Sequence, residues 1–350
     1  MCATVSKWIY IFNYLRQPDA SVISLDGESL DPEGEKVWNP PGLSRLGIKL
    51  VPISLVWKWD FTIAHFEKGV TKVPMSRLPS KLFGIEIKGG ERNDEFAQRF
   101  ADATMATLVL LNPGYAPEFP IAFGVPLDKL GNRGEITFAQ LIEEDAQKGY
   151  GDRYGERGLL HIFGTEYHLL ADEIAWIWET VPALLIDPNI FNAAHFYWAS
   201  VREFVFLGDN IQEVIDNINA TPVSRVELTR AENAIQNAFK AIEALIGDPP
   251  KDDKRLRSKI KATGLDPDEQ VGWNIPEYGL ASQSILDQVR KLSEIRDKRA
   301  AHARTGANRR ITYFEMMDAQ RLALEFILAS AEKRLQELHN TRTEMVFNML

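Results

Sequence analysis

The chain has 350 residues, 45% apolar and 25% charged, and carries a net charge of −9. That length suits two domains better than one. The composition is that of a globular protein whose core needs no metal or disulfide to hold it. The charge excludes a generic nucleic-acid coat protein. Cys2 is the single cysteine, which excludes an intrachain disulfide and a cysteine metal cluster and fits a reducing, cytoplasmic setting.

The run Trp8-Ile9-Tyr10-Ile11-Phe12 is too short to cross a membrane, being interrupted by Asn13 and Arg16. It lacks a small-residue cleavage site and predicts a buried strand in a protein with no membrane association. Residues 48–57 and 83–88, rich in β-branched and aromatic side chains, predict two more strands. The second ends at Gly89-Gly90. A helix is expected over 93–111, with Phe96, Phe100, Ala103 and Thr107 near one face. Pro113 and the prolines at 117, 120 and 126 predict a long irregular connection. Helices follow over 138–148 and, after glycine-rich turns at 149–158, over 166–180, stopping before Pro182.

From Ile190 onward the pattern is almost purely helical. Helices are expected over 191–207, 225–246 (ended by Gly247 and Pro249-Pro250), 254–263, 284–303 and 313–338, with a loop over 264–279. Thr312 and Glu315 have the spacing of a capping box before the last helix. The fold class expected is α+β. A mixed α/β domain spans 1–185, and an all-α bundle spans 190–345 with its core at 225–338.

Charge is unevenly distributed. Between Lys251 and Arg310 stand 14 Lys and Arg against 9 Asp and Glu, a net +5 in an acidic chain. Such a region suits one confined anionic ligand or a solvated basic face. The helix at 284–303 sharpens the point. Ile285, Val289, Leu292 and Ile295 form its apolar stripe. At ~100° per residue Arg296 falls ~20° and Arg299 ~320° from Ile285, inside that stripe, with His302 at its edge. A buried cation needs a partner. Three alternatives stand open: the helix ends early and the arginines snorkel outward; they pair with Glu232 or Glu243 on the helix 225–246; or they face an anion, for which the planar guanidinium fork suits phosphate and a nearby histidine suits proton transfer.

Arg296-Asp297, then four residues and His302, resemble the Arg-x4–6-His motif of the HEPN superfamily, which commonly has a polar residue directly after the arginine. The helix order resembles that family's bundle too, and residues 231–247 look like its first helix. The resemblance covers 225 to about 338. It implies a metal-independent endoribonuclease, as in toxins and anti-phage defence. Two protomers would join their motifs across a homodimer interface. Arg296 would hold the scissile phosphate, His302 would assist the 2′-hydroxyl, and Asp297 would be the auxiliary polar group. The products would be a 2′,3′-cyclic phosphate and a 5′-hydroxyl. Arg299 is added from its place on the wheel as an auxiliary residue. Lys254, Arg255, Arg257, Lys298 and Arg304 are candidate RNA-binding cations. No cofactor or metal is implied. The partners would be RNA, a second copy of the chain, and an antitoxin or phage trigger. The alternative is a non-catalytic HEPN-like module for nucleotide or RNA binding or for dimerisation. Residues six apart on a regular helix lie ~120° apart. Arg296 and His302 therefore converge only across a dimer or where the helix is irregular.

Other residue groups point less far. His161, Glu166, His168 and Asp172 form a loose set with no recognisable metal site. His65 and His195 sit among aromatics and suit a core or interface. Gly84 to Gly90 lacks phosphate-loop spacing. Trp57, Trp59, Trp176 and Trp178 suit a core. Trp273 suits packing, or stacking on a base.

Overall fold

The computed structural model describes residues 7–16, 40–56, 58–65, 69–76, 80–90, 92–113, 122–131, 134–141, 169–203, 224–271, 283–296 and 311–340. Its architecture is α+β, with a mixed sheet in the N-terminal part and helices in the C-terminal part. As far as the described residues go, it divides into two compact units. One takes in the residues up to Met105 and those of Pro117–Val181, the other those of Ala106–Ala116 and Pro182–Arg342. No described helix is long and apolar enough to cross a membrane.

The N-terminal unit is built on β1 (Trp8–Arg16). After α1 (Pro41–Arg45) come β2 (Ile48–Val56), β3 (Lys58–His65), β4 (Gly69–Ser76) and β5 (Ser80–Ile87). Next are α2 (Asp94–Leu111), which belongs to this unit as far as Met105, β6 (Ala122–Pro126), β7 (Glu135–Thr137) and α3 (Ala171–Ile186), which belongs to it as far as Val181. The five-stranded sheet runs β6-β1-β5-β2-β7, antiparallel except for the β2–β7 pair. β1 lies inside the sheet between β6 and β5, and its residues Ile9 to Phe12 are buried on both faces. Ile9 and Ile11 join Ile53, Leu55, Phe123, Val125 and Phe138 in one apolar cluster. Tyr10 and Phe12 alternate to the other face, as period two requires. There Phe12 stacks on Phe100 at 5.3 Å, and Trp178 packs edge-on to Phe83 at 5.3 Å. The Tyr10 hydroxyl accepts the Asn93 N–H at 2.5 Å, and burial pushes its pKa up to about 12. Gly84 sits where β1, β2 and β5 crowd together. A Cβ there would meet Ile53 at 3.0 Å and the Tyr10 carbonyl at 3.1 Å.

Two expectations need correction. The connection over 113–126 contains β6, whose partner is β1. Its terminal Pro126 is tolerated because β6 is an edge strand. The hairpin β3–β4 and strand β7 carry no strong periodic signal of their own and are fixed by pairing. The helix expected to stop before Pro182 runs through it to Ile186. A mid-helix proline loses one hydrogen bond and costs about 3 kcal/mol. Burial of Ile177, Trp178, Val181, Ala183, Leu184 and Leu185, each 2% exposed or less, outweighs that cost.

The C-terminal unit holds α4 (Pro188–Glu203), α5 (Arg225–Ile246), α6 (Asp253–Ala262), the short pair β8 (Gln270–Val271) and β9 (Gln283–Ser284), α7 (Ile285–Ile295) and α8 (Tyr313–Asn340). α4 starts at Pro188 rather than at the expected Phe191. The Asp187 carboxylate accepts from the Asn189 N–H at 2.9 Å, and proline fits the first helical position. α5 buries Ala231, Ala234, Ala238 and Ala241 beside Ile235, Phe239, Ile242 and Ile246. These small residues let neighbouring helices approach. Ser200 Oγ on α4 donates to the Ala234 carbonyl at 2.6 Å, and Gln320 Nε2 on α8 donates to the Ser200 carbonyl at 3.2 Å. One polar node thus pins three helices in register.

The caps are readable in the chain. Ser224 and Glu227 form a capping box on α5. Thr312 and Glu315 form the expected one on α8, with reciprocal bonds of 3.1 Å. The loop expected over 264–279 includes β8, which pairs with β9. α7 is α-helical only to Ile295, and the rest of the helix expected over 284–303, beyond Arg296, lies outside the described residues.

Candidate functional site

α7 begins at Ser284, whose Oγ caps the Asp287 N–H at 3.1 Å. It buries Ile285, Leu286, Gln288, Val289, Leu292 and Ile295. Arg296 continues that stripe, four residues after Leu292 and seven after Val289. Arg296 itself keeps helical backbone angles, φ −57° and ψ −52°, and its N–H still donates to the Leu292 carbonyl.

The guanidinium of Arg296 is held from two sides. Its Nη1 donates to Glu243 Oε1 at 2.5 Å, and both side chains are 26% exposed. Its central carbon lies 4.3 Å from the ring centroid of the buried Phe239. Phe239 and Glu243 are four apart on α5 and so share one face. A carboxylate fixes one edge of the plane while an aromatic ring supports its face. Of the two glutamates considered as partners, Glu243 takes Arg296. Glu232 is half-buried, and burial raises the pKa of its carboxyl.

The rest of α7 is anchored with similar care. Arg290 donates to the carbonyls of Pro250 at 2.6 Å and Lys251 at 2.8 Å, and to Asp253 Oδ1 at 2.8 Å. One side chain therefore closes the loop between α5 and α6. The buried Gln288 accepts from Arg321 Nη2 at 2.6 Å, and Arg321 also bonds Asp318 at 3.0 Å. Sequence reasoning missed Arg290 because it sits on the polar side of the wheel. The carbonyls it binds belong to a loop about 40 residues upstream, and nothing local announces them.

Among the candidate RNA-binding cations, Lys254 and Arg255 are exposed on α6. Arg257, on the same helix, is engaged by Asp268 through Nη1 at 2.5 and 2.6 Å. That hydrogen-bonded pairing makes Arg257 more basic than usual and lowers the pKa of Asp268. Asp297, Lys298, Arg299, His302 and Arg304 lie outside the described residues.

The remaining sequence candidates resolve in part. Trp178 is fully buried and stacks on Phe100 at 6.1 Å, a core role. His195 has its Nδ1 within 2.9 Å of the Phe191 carbonyl and its ring 4.2 Å from that of Phe191. Asp172 is exposed in the first turn of α3, and the described residues hold no cluster suited to a metal. His161, Glu166, His168, Trp57 and Trp273 lie outside the described residues.

A second polar site lies where α4 begins and α5 ends. A crevice of about 160 Å³ is lined by Asp187, Asn189, Ser330, Lys333, Arg334 and Glu337, among others. Ser330 Oγ and Arg334 Nε are buried there without a hydrogen-bond partner among the described residues. Arg334 Nη1 donates to Glu337 at 2.8 Å and Lys333 to the Ala262 carbonyl at 2.6 Å. With two acids and two bases, its charges cancel, and ordered water is the occupant this chemistry favours. The chain matches no protein-family model, no curated protein and no solved structure.

Proposed function

We propose that the C-terminal helical unit is a metal-independent endoribonuclease of HEPN type, acting as a toxin or in defence against phage. One observation carries the reading. The arginine of the Arg296-Asp297-x4-His302 sequence continues the apolar stripe of α7, with its guanidinium oriented by Glu243 and Phe239. An oriented guanidinium suits a phosphate oxygen.

In this scheme His302 takes the proton of a ribose 2′-hydroxyl as it attacks the adjacent phosphorus. Arg296 stabilises the charge that develops on the phosphoryl oxygens. The bond to the 5′-oxygen breaks and that oxygen takes a proton from water, which leaves a 2′,3′-cyclic phosphate and a 5′-hydroxyl. Asp297 and Arg299 assist, and Lys254, Arg255, Arg257, Lys298 and Arg304 attract the RNA backbone. Two protomers pair through the helical unit, and the N-terminal unit senses a trigger or restrains the nuclease. The lone cysteine and an RNA substrate fit action in the cytoplasm.

The test is induction of the full chain, followed by sequencing of RNA 5′-hydroxyl ends. New ends in the wild type that vanish in Arg296→Ala and His302→Ala support the reading. Cleavage unchanged in both variants overturns it.

The Arg296–Glu243 pair itself favours a second reading, a non-catalytic HEPN-like module. An arginine already neutralised inside the bundle has a sufficient structural role. That reading expects RNA or nucleotide to be retained on the purified protein with no cyclic-phosphate ends formed.

A further inference from the structure

We infer that Glu243 and Phe239 are positioning residues that set the direction of the Arg296 guanidinium toward the scissile phosphate. This inference rests on the nuclease reading above. It starts from the flexibility of arginine. A free side chain samples many rotamers and would bring its fork to a phosphate only a fraction of the time. Here two independent contacts remove that freedom. The 2.5 Å bond to Glu243 Oε1 fixes one amino group in the guanidinium plane. The Phe239 ring, 4.3 Å from the guanidinium carbon, fixes the orientation of the plane itself. A direction and a plane together define the fork.

The supports are themselves rigid. Phe239 is fully buried, and Glu243 stands one turn further along the same helix. That helix is pinned at Ala234 by Ser200 and closed at Gly247, whose N–H donates to the Glu243 carbonyl at 2.7 Å. α7 is held at its middle by Arg290. The guanidinium is thus placed relative to α5. Glu243 acts through Arg296, so its loss should lower the rate of the chemical step more than it weakens RNA binding. Misplacement of a group by about 1 Å can cost on the order of 100-fold in rate.

The experiment compares full-length wild type, Glu243→Gln, Glu243→Asp and Phe239→Leu for kcat and KM on a cleaved RNA. The expected result is a fall in kcat of about 10- to 100-fold in Glu243→Gln with little change in KM. Glu243→Asp should recover part of the loss. Phe239→Leu keeps an apolar side chain and the ion pair, so it should show a smaller fall in kcat. It also carries the test should Glu243→Gln fail to fold. A purely structural role would not pass the next step. Millimolar guanidinium should restore cleavage to Arg296→Ala but not to Arg296→Ala/Glu243→Gln. Full kcat in Glu243→Gln and Phe239→Leu, or equal rescue with and without Glu243, overturns this inference and leaves the nuclease reading standing. A wild type that cleaves no RNA overturns both.

Discussion

Removing either partner of the Arg296–Glu243 pair should expose how much of the bundle depends on it. Exposed ion pairs contribute about 0.2–1 kcal/mol, and breaking a fully buried one costs about 3–5 kcal/mol. With both side chains 26% exposed, discounting for solvent screening gives a coupling of about 1–2 kcal/mol. The contact with Phe239 adds about 0.5–1 kcal/mol that belongs to Arg296 alone. Arg296→Ala should therefore cost about 2–3 kcal/mol and Glu243→Ala about 1–2 kcal/mol. The double variant should cost less than their sum by the coupling. Hydrogen exchange at the buried amides of Phe239, Ile242 and Leu292 in the full chain reads local stability directly. A coupling below about 0.3 kcal/mol, the scatter expected of independent sites, would refute the argument that the contact holds α7 against α5.

Three further outcomes follow from local geometry. Gly134 has φ +72°, and a Cβ there would lie 2.4 Å from the Pro52 carbonyl oxygen. Gly134→Ala should therefore destabilise the sheet by roughly 2 kcal/mol or more in urea unfolding, and a neutral result would show the turn can relax. Thr312→Ala removes the side-chain half of the α8 capping box and should cost about 1 kcal/mol, with fraying of the first turn visible by hydrogen exchange. The Asp268 carboxyl, lowered by Arg257, should titrate by NMR below an ordinary aspartate and return upward in Arg257→Ala. A depressed folded-state pKa stabilises above the unfolded value, and that contribution is lost as pH falls through the folded one. An unchanged midpoint in Arg257→Ala would remove the pair as the cause.

What the sequence carried well was local. Thr312 caps the helix it precedes, and α5 spans residues whose periodicity is plain. The helical wheel placed Arg296 on the apolar stripe of α7, and Glu243 was one of two partners in reach. What it carried poorly depended on distant chain. β6 ends in a proline and becomes a strand only because β1 pairs with it. Pro182 is a helix breaker by itself, yet the apolar residues on both sides bury so completely that α3 continues. Arg290 looks like an ordinary solvated cation until the Pro250 and Lys251 carbonyls arrive at its fork.

Under the proposed reading as an RNA-binding nuclease, the paired arginines also change how association should respond to ionic strength. Counted along the chain, the stretch from Lys251 to Arg310 has a net +5. A salt titration measures something narrower, the counterions released as phosphates take their place. Arg257 and Arg296 carry carboxylates already, from Asp268 and Glu243. A phosphate that meets either competes with a fixed anion and sets few mobile ions loose. The slope of log affinity against log salt should thus be shallower than the number of basic side chains implies, with Lys254 and Arg255 contributing more to it than the motif arginine.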